Sequence, residues 1–188
     1  MASIIRSVPD SKRTCAQKLR EPKTSPVSKR IISSIVAAIF DPLGLISPVV
    51  YKIFLQQLWL HKLHWDDQLP AELLKQWMDM YLRLSQVNEI TVDRLVLAKG
   101  QPTEIQLHGF CDSSKKAYGA CLYLRSVNQQ GEVTTRLLCP KSRVAPVKKI
   151  TLPRLELCGA LLLAHLIQKT VPALNLKIHR ILLWIDSS

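Results

Sequence analysis

The chain has 188 residues, 47% of them hydrophobic and 21% charged. That is enough apolar surface for one ordinary core or two small ones, and it excludes wholesale disorder. With 26 Lys+Arg against 14 Asp+Glu the net charge is +12. This balance favours a polyanionic partner, nucleic acid before membrane, because neutralising phosphates releases counterions.

The charge is uneven: residues 1–30 carry +6, residues 31–100 carry −1 and residues 101–188 carry +7. Composition therefore breaks near residues 30 and 100. Residues 1–28 are basic, hold Pro9, Pro22 and Pro26, and show no sustained period, as expected of a flexible arm. The five cysteines (Cys15, Cys111, Cys121, Cys139, Cys158) form no C-x-x-C pair. Four of them sit among apolar neighbours, which points to core packing in a reducing, intracellular setting. No early apolar run marks a signal peptide. The stretch 31–50 has the length of a membrane span, but Asp41-Pro42 and Gly44 interrupt it, so no membrane partner is expected.

Residues 29–88 are predicted helical. Ile31, Ile32, Ile35, Val36 and Ile39 share one helical face, and Asp41-Pro42-Leu43-Gly44 ends that helix. Ser47 then offers an N-cap oxygen, with Pro48 at the first helical position. The second helix runs to about residue 63, with Val49, Val50, Ile53, Phe54, Leu58 and Trp59 inward. After a loop at His64-Trp65-Asp66-Asp67, a third helix begins near Pro70. Its apolar stripe is Leu73, Leu74, Trp77, Met78, Tyr81 and Leu82.

After Gly100 the period changes from 3.6 to 2. Residues 104–112 and 118–125 alternate, and a third strand follows around 132–139. Residues 153–168 read as a helix opened by Pro153. The unbroken apolar run 179–186 has the character of a central parallel strand buried on both faces. The expected fold class is mixed α/β: a helical subdomain, then a mixed sheet in the order β-β-β-α-β.

Three of the five acids in residues 101–188 stand in unusual places. Asp112 closes the first strand, Asp186 closes the last, and Glu156 sits near the start of the intervening helix. A crossover helix lets the first and last strands lie parallel and adjacent. Both aspartates then emerge at the carboxyl edge of the sheet, where open α/β folds keep their sites. The helix is apolar nearly all round, so Glu156 is expected to be sandwiched against the sheet, which is costly without a cation. Converging carboxylates in a basic domain suit Mg²⁺, with a substrate phosphate completing the shell. Two such ions about 4 Å apart can activate water and stabilise a leaving oxygen. The plainer alternative is that the aspartates cap strand ends and Glu156 pairs with Arg154 or a lysine.

Three strings carry a family resemblance. GFCDSSKKAYGACLYLR, LPRLELCGALLLAHL and ILLWIDSS, in that order, resemble the first strand pair, catalytic helix and fourth strand of a ribonuclease H domain of the BEL/Pao class of LTR retrotransposons. Upstream, IVAAIFDPLGLISPVV followed by LHWDD resembles the connection between reverse transcriptase and ribonuclease H in those polyproteins. The resemblance covers about residues 30–188 and divides the chain into an arm (1–28), a helical connection subdomain (29–100) and an incomplete ribonuclease H-like domain (101–188).

The resemblance implies metal-dependent hydrolysis of RNA in RNA/DNA hybrids by the parent polyprotein, with Asp112, Glu156 and Asp186 as three of four catalytic acids holding Mg²⁺ or Mn²⁺. The fourth acid, a fifth strand and later helices would lie beyond Ser188, so this stretch alone is expected to be inactive. Implied partners are the hybrid, the upstream reverse transcriptase and downstream polyprotein segments, in the cytoplasm or a virus-like particle. No Y-x-D-D motif is present, so polymerisation is not expected. A non-catalytic nucleic-acid-binding or structural remnant is one alternative.

A retrotransposon aspartic peptidase, the activity commonly attached to this family's name, is the other. It would need Asp-Thr/Ser-Gly, whereas this chain has Asp112-Ser113-Ser114 and Asp186-Ser187-Ser188.

Candidate phosphate contacts are Lys141, Arg143, Lys148 and Lys149 in a loop before the helix, Lys115 and Lys116 beside Asp112, and Arg154, which could instead orient Glu156. Each of the lysines could equally be a solvated surface charge. The tryptophans Trp59, Trp65 and Trp77 are expected to pack rather than stack on bases. The five histidines show no ligand spacing.

Overall fold

A computed structural model describes residues 12–14, 27–38, 51–83, 91–93, 96–98 and 100–186. Its elements are β1 (Lys12–Thr14), α1 (Lys29–Ala37), α2 (Lys52–Leu60), α3 (Ala71–Arg83), β2 (Thr91–Asp93), β3 (Pro102–Ser113), β4 (Ala117–Asn128), β5 (Val133–Val144), α4 (Leu152–Leu174) and β6 (Arg180–Ile185). The chain divides into two compact units, one spanning Thr14–Thr91 and the other Met1–Arg13 with Val92–Ser188. Strand β1, inside the segment read as an arm, pairs with β2 in a two-stranded sheet. The helix stop at residues 41–44, the Ser47-Pro48 cap and the inward Val49 and Val50 lie outside the described residues.

The helical unit buries Ile32, Tyr51, Phe54, Leu58, Leu69, Leu73, Trp77 and Tyr81 in one cluster. Phe54 stacks on Trp77, which in turn meets Tyr81, with ring centroids 5.8 and 5.9 Å apart. On α3 the buried residues fall at Leu73, Trp77 and Tyr81, one position per turn. Met78 and Leu82, expected on the same stripe, face outward. Trp59, expected inward on α2, is 57% exposed. Its ring is engaged by a charge instead of by the core: the Lys29 ammonium sits 3.2 Å from the ring centroid. Trp65 stands edge-on to Trp59 at 5.6 Å. Arg30 closes the same clasp, donating from Nε and Nη2 to the two Asp66 carboxylate oxygens at 2.7 and 2.9 Å.

The second unit is a four-stranded sheet in the order β5-β4-β3-β6. Strands β3, β4 and β5 pair antiparallel, and β6 lies parallel to β3. The β-β-β-α-β order and mixed direction expected from the sequence are both present. Turn chemistry explains the hairpins. Ser114 Oγ donates to the Ala117 carbonyl, and the Gly131 turn is closed by Asn128 Oδ1, which accepts from Gln130 and Glu132 N–H. Gly131 has φ +82°, open to glycine at no steric cost.

Inward-facing Ile105, Leu107, Cys111, Ala120, Leu122 and Leu124 meet Leu162 and Leu163 of α4 in a second core. Burial raises the pKa of Cys111, Cys121 and Cys139, which suits thiols that pack rather than react.

Three expectations change. First, β6 is parallel but lies at the edge of the described sheet, and Ile181, Leu183, Trp184 and Ile185 are all about half exposed. The run is apolar on both faces, yet β3 is its one strand neighbour among the described residues, and α4 lies over β3 and β4. Second, α4 is not sandwiched. One side buries Leu155, Gly159, Leu162 and Leu163, while Leu157 on the opposite side is 70% exposed, leaving Glu156 half-buried on a flank. Third, Lys141 and Arg143 lie on β5 rather than in a loop, because β5 continues to Val144. Pro140 is tolerated there since β5 is the other sheet edge.

Candidate active site

The parallel register of β3 and β6 runs from Gln106↔Arg180 to Cys111↔Ile185. Asp112 and Asp186 each follow that last pair by one residue, so adjacent strands deliver two carboxylates to one edge of the sheet. What holds β6 in this register is His179. Its main-chain N–H donates to the Ile105 carbonyl at 2.8 Å, and its ring Nδ1 accepts the Ile105 N–H at 3.0 Å. Reciprocal bonds of this kind leave no freedom for a one-residue slip, which would move Asp186 to the other face.

The start of α4 is fastened to the same edge. Ser113 Oγ donates to the Leu155 carbonyl at 2.9 Å, and a Cβ on Gly159 would lie 2.9 Å from that hydroxyl oxygen. Glycine here permits the helix to approach the strand end closely. Glu156, one residue after Leu155, is thereby carried toward the end of β3, where Asp112 immediately precedes Ser113.

The sheet alternation puts Ser113 on the α4 side and Asp112 on the other. Asp112 Oδ1 accepts the Ser113 N–H at 2.6 Å. The three carboxylates therefore approach the edge from different sides, and among the described residues no three His, Cys, Asp or Glu side chains are gathered closely enough to hold a metal ion. In chemistry the donor set does fit a hard divalent cation: oxygen ligands only, with Asp112 and Asp186 exposed and Glu156 half-buried.

The basic candidates surround this edge in sequence and in part in space. Lys115 and Lys116 lie in the β3–β4 turn, the nearer one two residues beyond Ser113 at the end of β3, and are exposed. Arg143 pairs with Tyr118 and Lys141 with Ala120, so β5 carries both to the end of the sheet where that turn lies. The Ala145 N–H donates to the Lys116 carbonyl at 2.9 Å, which ties the end of β5 to the turn. Lys148, Lys149 and Arg154 are exposed between β5 and the first turn of α4.

The model of the Pao retrotransposon-like RNaseH-like domain matches residues 28–187. The chain belongs to that family. No curated protein sequence matches it. Two solved structures are similar at 16% identity over 88% of this chain. One is a foamy viral protease-reverse transcriptase in complex with dsDNA, with a TM-score of 0.46. The other is the foamy viral protease-reverse transcriptase dRH in complex with ds DNA, at 0.42. This chain spans 32% and 26% of those two chains respectively.

For a Pao RNaseH-like domain, the residues that sequence reasoning passed over are the ones that set the carboxylates in place: Ser113, Gly159, His179 and Gly109. A Cβ on Gly109 would meet Leu163 at 2.8 Å and Leu183 at 2.9 Å, so that glycine lets α4 and β6 close on β3. A lone glycine within LELCGALLL was the available signal for close helix–strand approach. Nothing in the spacing marked Ser113 or His179, whose partners are 42 and 74 residues away.

Proposed function

We propose that this Pao-family domain serves a nuclease that hydrolyses the RNA strand of RNA/DNA hybrids within a retrotransposon polyprotein. The observation that carries the reading is the meeting of β3, β6 and α4 at one sheet edge, each bringing one acid. RNaseH-like domains in general use divalent metals, and Asp112, Glu156 and Asp186 would hold Mg²⁺ or Mn²⁺ here. When bound, the ion supplies an activated water and charge neutralisation at the phosphate. Asp112 and Asp186 are positioned by the β3–β6 register, and Glu156 by the Ser113–Leu155 hydrogen bond. Lys115, Lys116, Lys141, Arg143, Lys148 and Lys149 would track the phosphate backbone, and Arg154 would steady either Glu156 or a phosphate. Within this reading the setting is intracellular or a virus-like particle.

The test is a backbone amide NMR spectrum of the 188-residue chain, with and without substoichiometric Mn²⁺. Selective broadening of residues at the ends of β3 and β6 and at the start of α4 is the expected result. Absence of broadening at all three would overturn the metal site.

A second reading has one observation in its favour: among the described residues the carboxylates are not gathered into a ligand set. In that case the domain only binds nucleic acid or packs against other polyprotein segments. Hydrolysis by a domain extended to its fourth acid separates the two, because Asp112→Asn abolishes cleavage in the first case, while hybrid binding alone is indifferent to it. Peptidase chemistry draws no support from these residues, since Asp112-Ser113-Ser114 lacks the glycine of the aspartic turn and closes a strand of an α/β sheet.

A further inference from the structure

The start of β6 is held to β3 by a side chain in a place where a sheet ordinarily uses its backbone. The Ile105 N–H donates to His179 Nδ1 at 3.0 Å, while the Ile105 carbonyl accepts the His179 N–H at 2.8 Å. A ladder carbonyl accepts at any pH, but an imidazole nitrogen accepts only while it carries no proton. Protonation at Nδ1 turns the acceptor into a second donor aimed at the first. Ile105 is 5% exposed, so its N–H has no ready substitute in water, and leaving it without an acceptor is costly.

The charged ring has a different partner within electrostatic reach. Glu104, one residue earlier on β3, has its carboxyl held below the ordinary carboxylate value, first by the Gln106 hydrogen bond and, against desolvation, by the charges of Arg180, Arg125 and His179. The charges around the ring are therefore Glu104 from β3, Arg125 from β4 and Arg180 from β6 itself, with Lys177 in the link after α4. His108, on the same strand as Glu104, behaves oppositely. Gln106 Nε2 donates to Glu104 Oε1 at 2.7 Å, so Gln106 turns its Oε1 to His108 Nε2, 3.1 Å away. His108 is the donor there, a role that protonation leaves intact. We propose that His179 is a proton-operated latch on the β3–β6 pairing: neutral, it accepts from Ile105 and closes the start of β6; protonated, it releases Ile105 and turns to Glu104. Each state has its own contact, as a two-state element requires. By linkage, the latch's contribution to the pairing is complete while the ring is neutral and is lost as pH falls through the ring's titration. It goes beyond the nuclease reading and depends on neither metal nor hybrid.

NMR of the 188-residue chain between about pH 8 and pH 5, the interval in which histidines ordinarily titrate, tests this. At the upper end His179 is expected as the Nε2–H tautomer, with a scalar coupling between the Ile105 nitrogen and Nδ1 across the hydrogen bond. On acidification the coupling vanishes and the Ile105 protection factor falls about tenfold, in step with the ring shifts of His179 and not with those of His108. His179→Asn, whose Oδ1 stands near the place of Nδ1 and does not titrate, keeps the protection at both ends of the range. His179→Ala lacks it at both. Glu104→Gln moves the loss to lower pH, because the charged ring no longer meets a carboxylate. Protection at Ile105 that ignores the His179 titration overturns the latch, and so does a pH-dependent loss that persists in His179→Asn. A parent spectrum without the coupling at the upper end overturns it too, since the bond it needs is then absent. If His179→Ala does not fold, the asparagine variant and the ring titration still decide.

Discussion

Ser113 donates its hydroxyl to the main-chain carbonyl of Leu155 at 2.9 Å, joining the last residue of β3 to the first turn of α4. This bond links residues 42 positions apart and fixes how far Glu156 stands from the end of the strand that bears Asp112. Removing it with Ser113→Ala is expected to cost about 1 kcal/mol of stability. It should also loosen Glu156 relative to Asp112, read as weaker Mn²⁺-dependent broadening at the start of α4 in a chain whose spectrum otherwise stays dispersed.

Gly159→Ala is expected to destabilise, against the helix-propensity gain of about 1 kcal/mol that alanine normally brings. The new Cβ would stand 2.9 Å from Ser113 Oγ. Either the hydroxyl rotates away from Leu155 or α4 moves off β3. Pairing Gly159→Ala with Ser113→Ala should remove part of the penalty, and a thermal-unfolding cycle of the two single variants and the double variant measures that coupling.

At Gly109 the same substitution meets three side chains, Leu163, Leu183 and Leu122, at 2.8, 2.9 and 3.2 Å. Overpacking of this kind costs about 1–3 kcal/mol. Because two of those side chains belong to α4 and β6, the expected signature is faster amide exchange along the β3–β6 pairing, with the β3–β4 hairpin little changed.

Tyr51, 2% exposed in the helical core, has its phenol pushed up to about 12 by burial. The folded value lies above the ordinary 10.0, so the neutral phenol's contribution is complete below pH 10 and is lost as pH rises toward 12. Alkaline unfolding of the helical unit should therefore steepen between those values. Tyr51→Phe is expected to flatten that dependence, which circular dichroism at stepped pH would follow.

On the nuclease function proposed above, replacing Lys148 and Lys149 by alanine should weaken hybrid binding equally for all sequences. Every lysine–phosphate pair removed lowers the salt slope of log K by somewhat less than one. An unchanged slope would place these exposed lysines away from the backbone.

Element identity along residues 101–188 was legible because short-range patterns encode it. Alternation marked β3 and β4, Pro153 marked the start of α4, and an aspartate at each strand end marked the carboxyl edge. The helical stripe of α3 was legible in the same way, but its width was not: Met78 and Leu82 obey the helical period yet face outward. Periodicity specifies which residues share a face, not how much of that face a neighbour covers. Trp59 illustrates the same limit, since its ring is taken by Lys29, 30 positions earlier, through a contact no local pattern encodes.

The sequence by itself determined the strand and helix order, the mixed α/β class, and three acids placed at the ends of β3 and β6 and near the start of α4. It could do so because side-chain period and strand-end chemistry are properties of neighbouring residues. Only the tertiary structure decided that β6 is the edge of the described sheet, that α4 covers β3 and β4 while leaving Leu157 in solvent, and that Ser113 and Gly159 hold the start of α4 against the end of β3 while His179 sets the register of β6. Those outcomes depend on which surfaces meet across tens of residues, and on distances of a few ångströms that only packing can set.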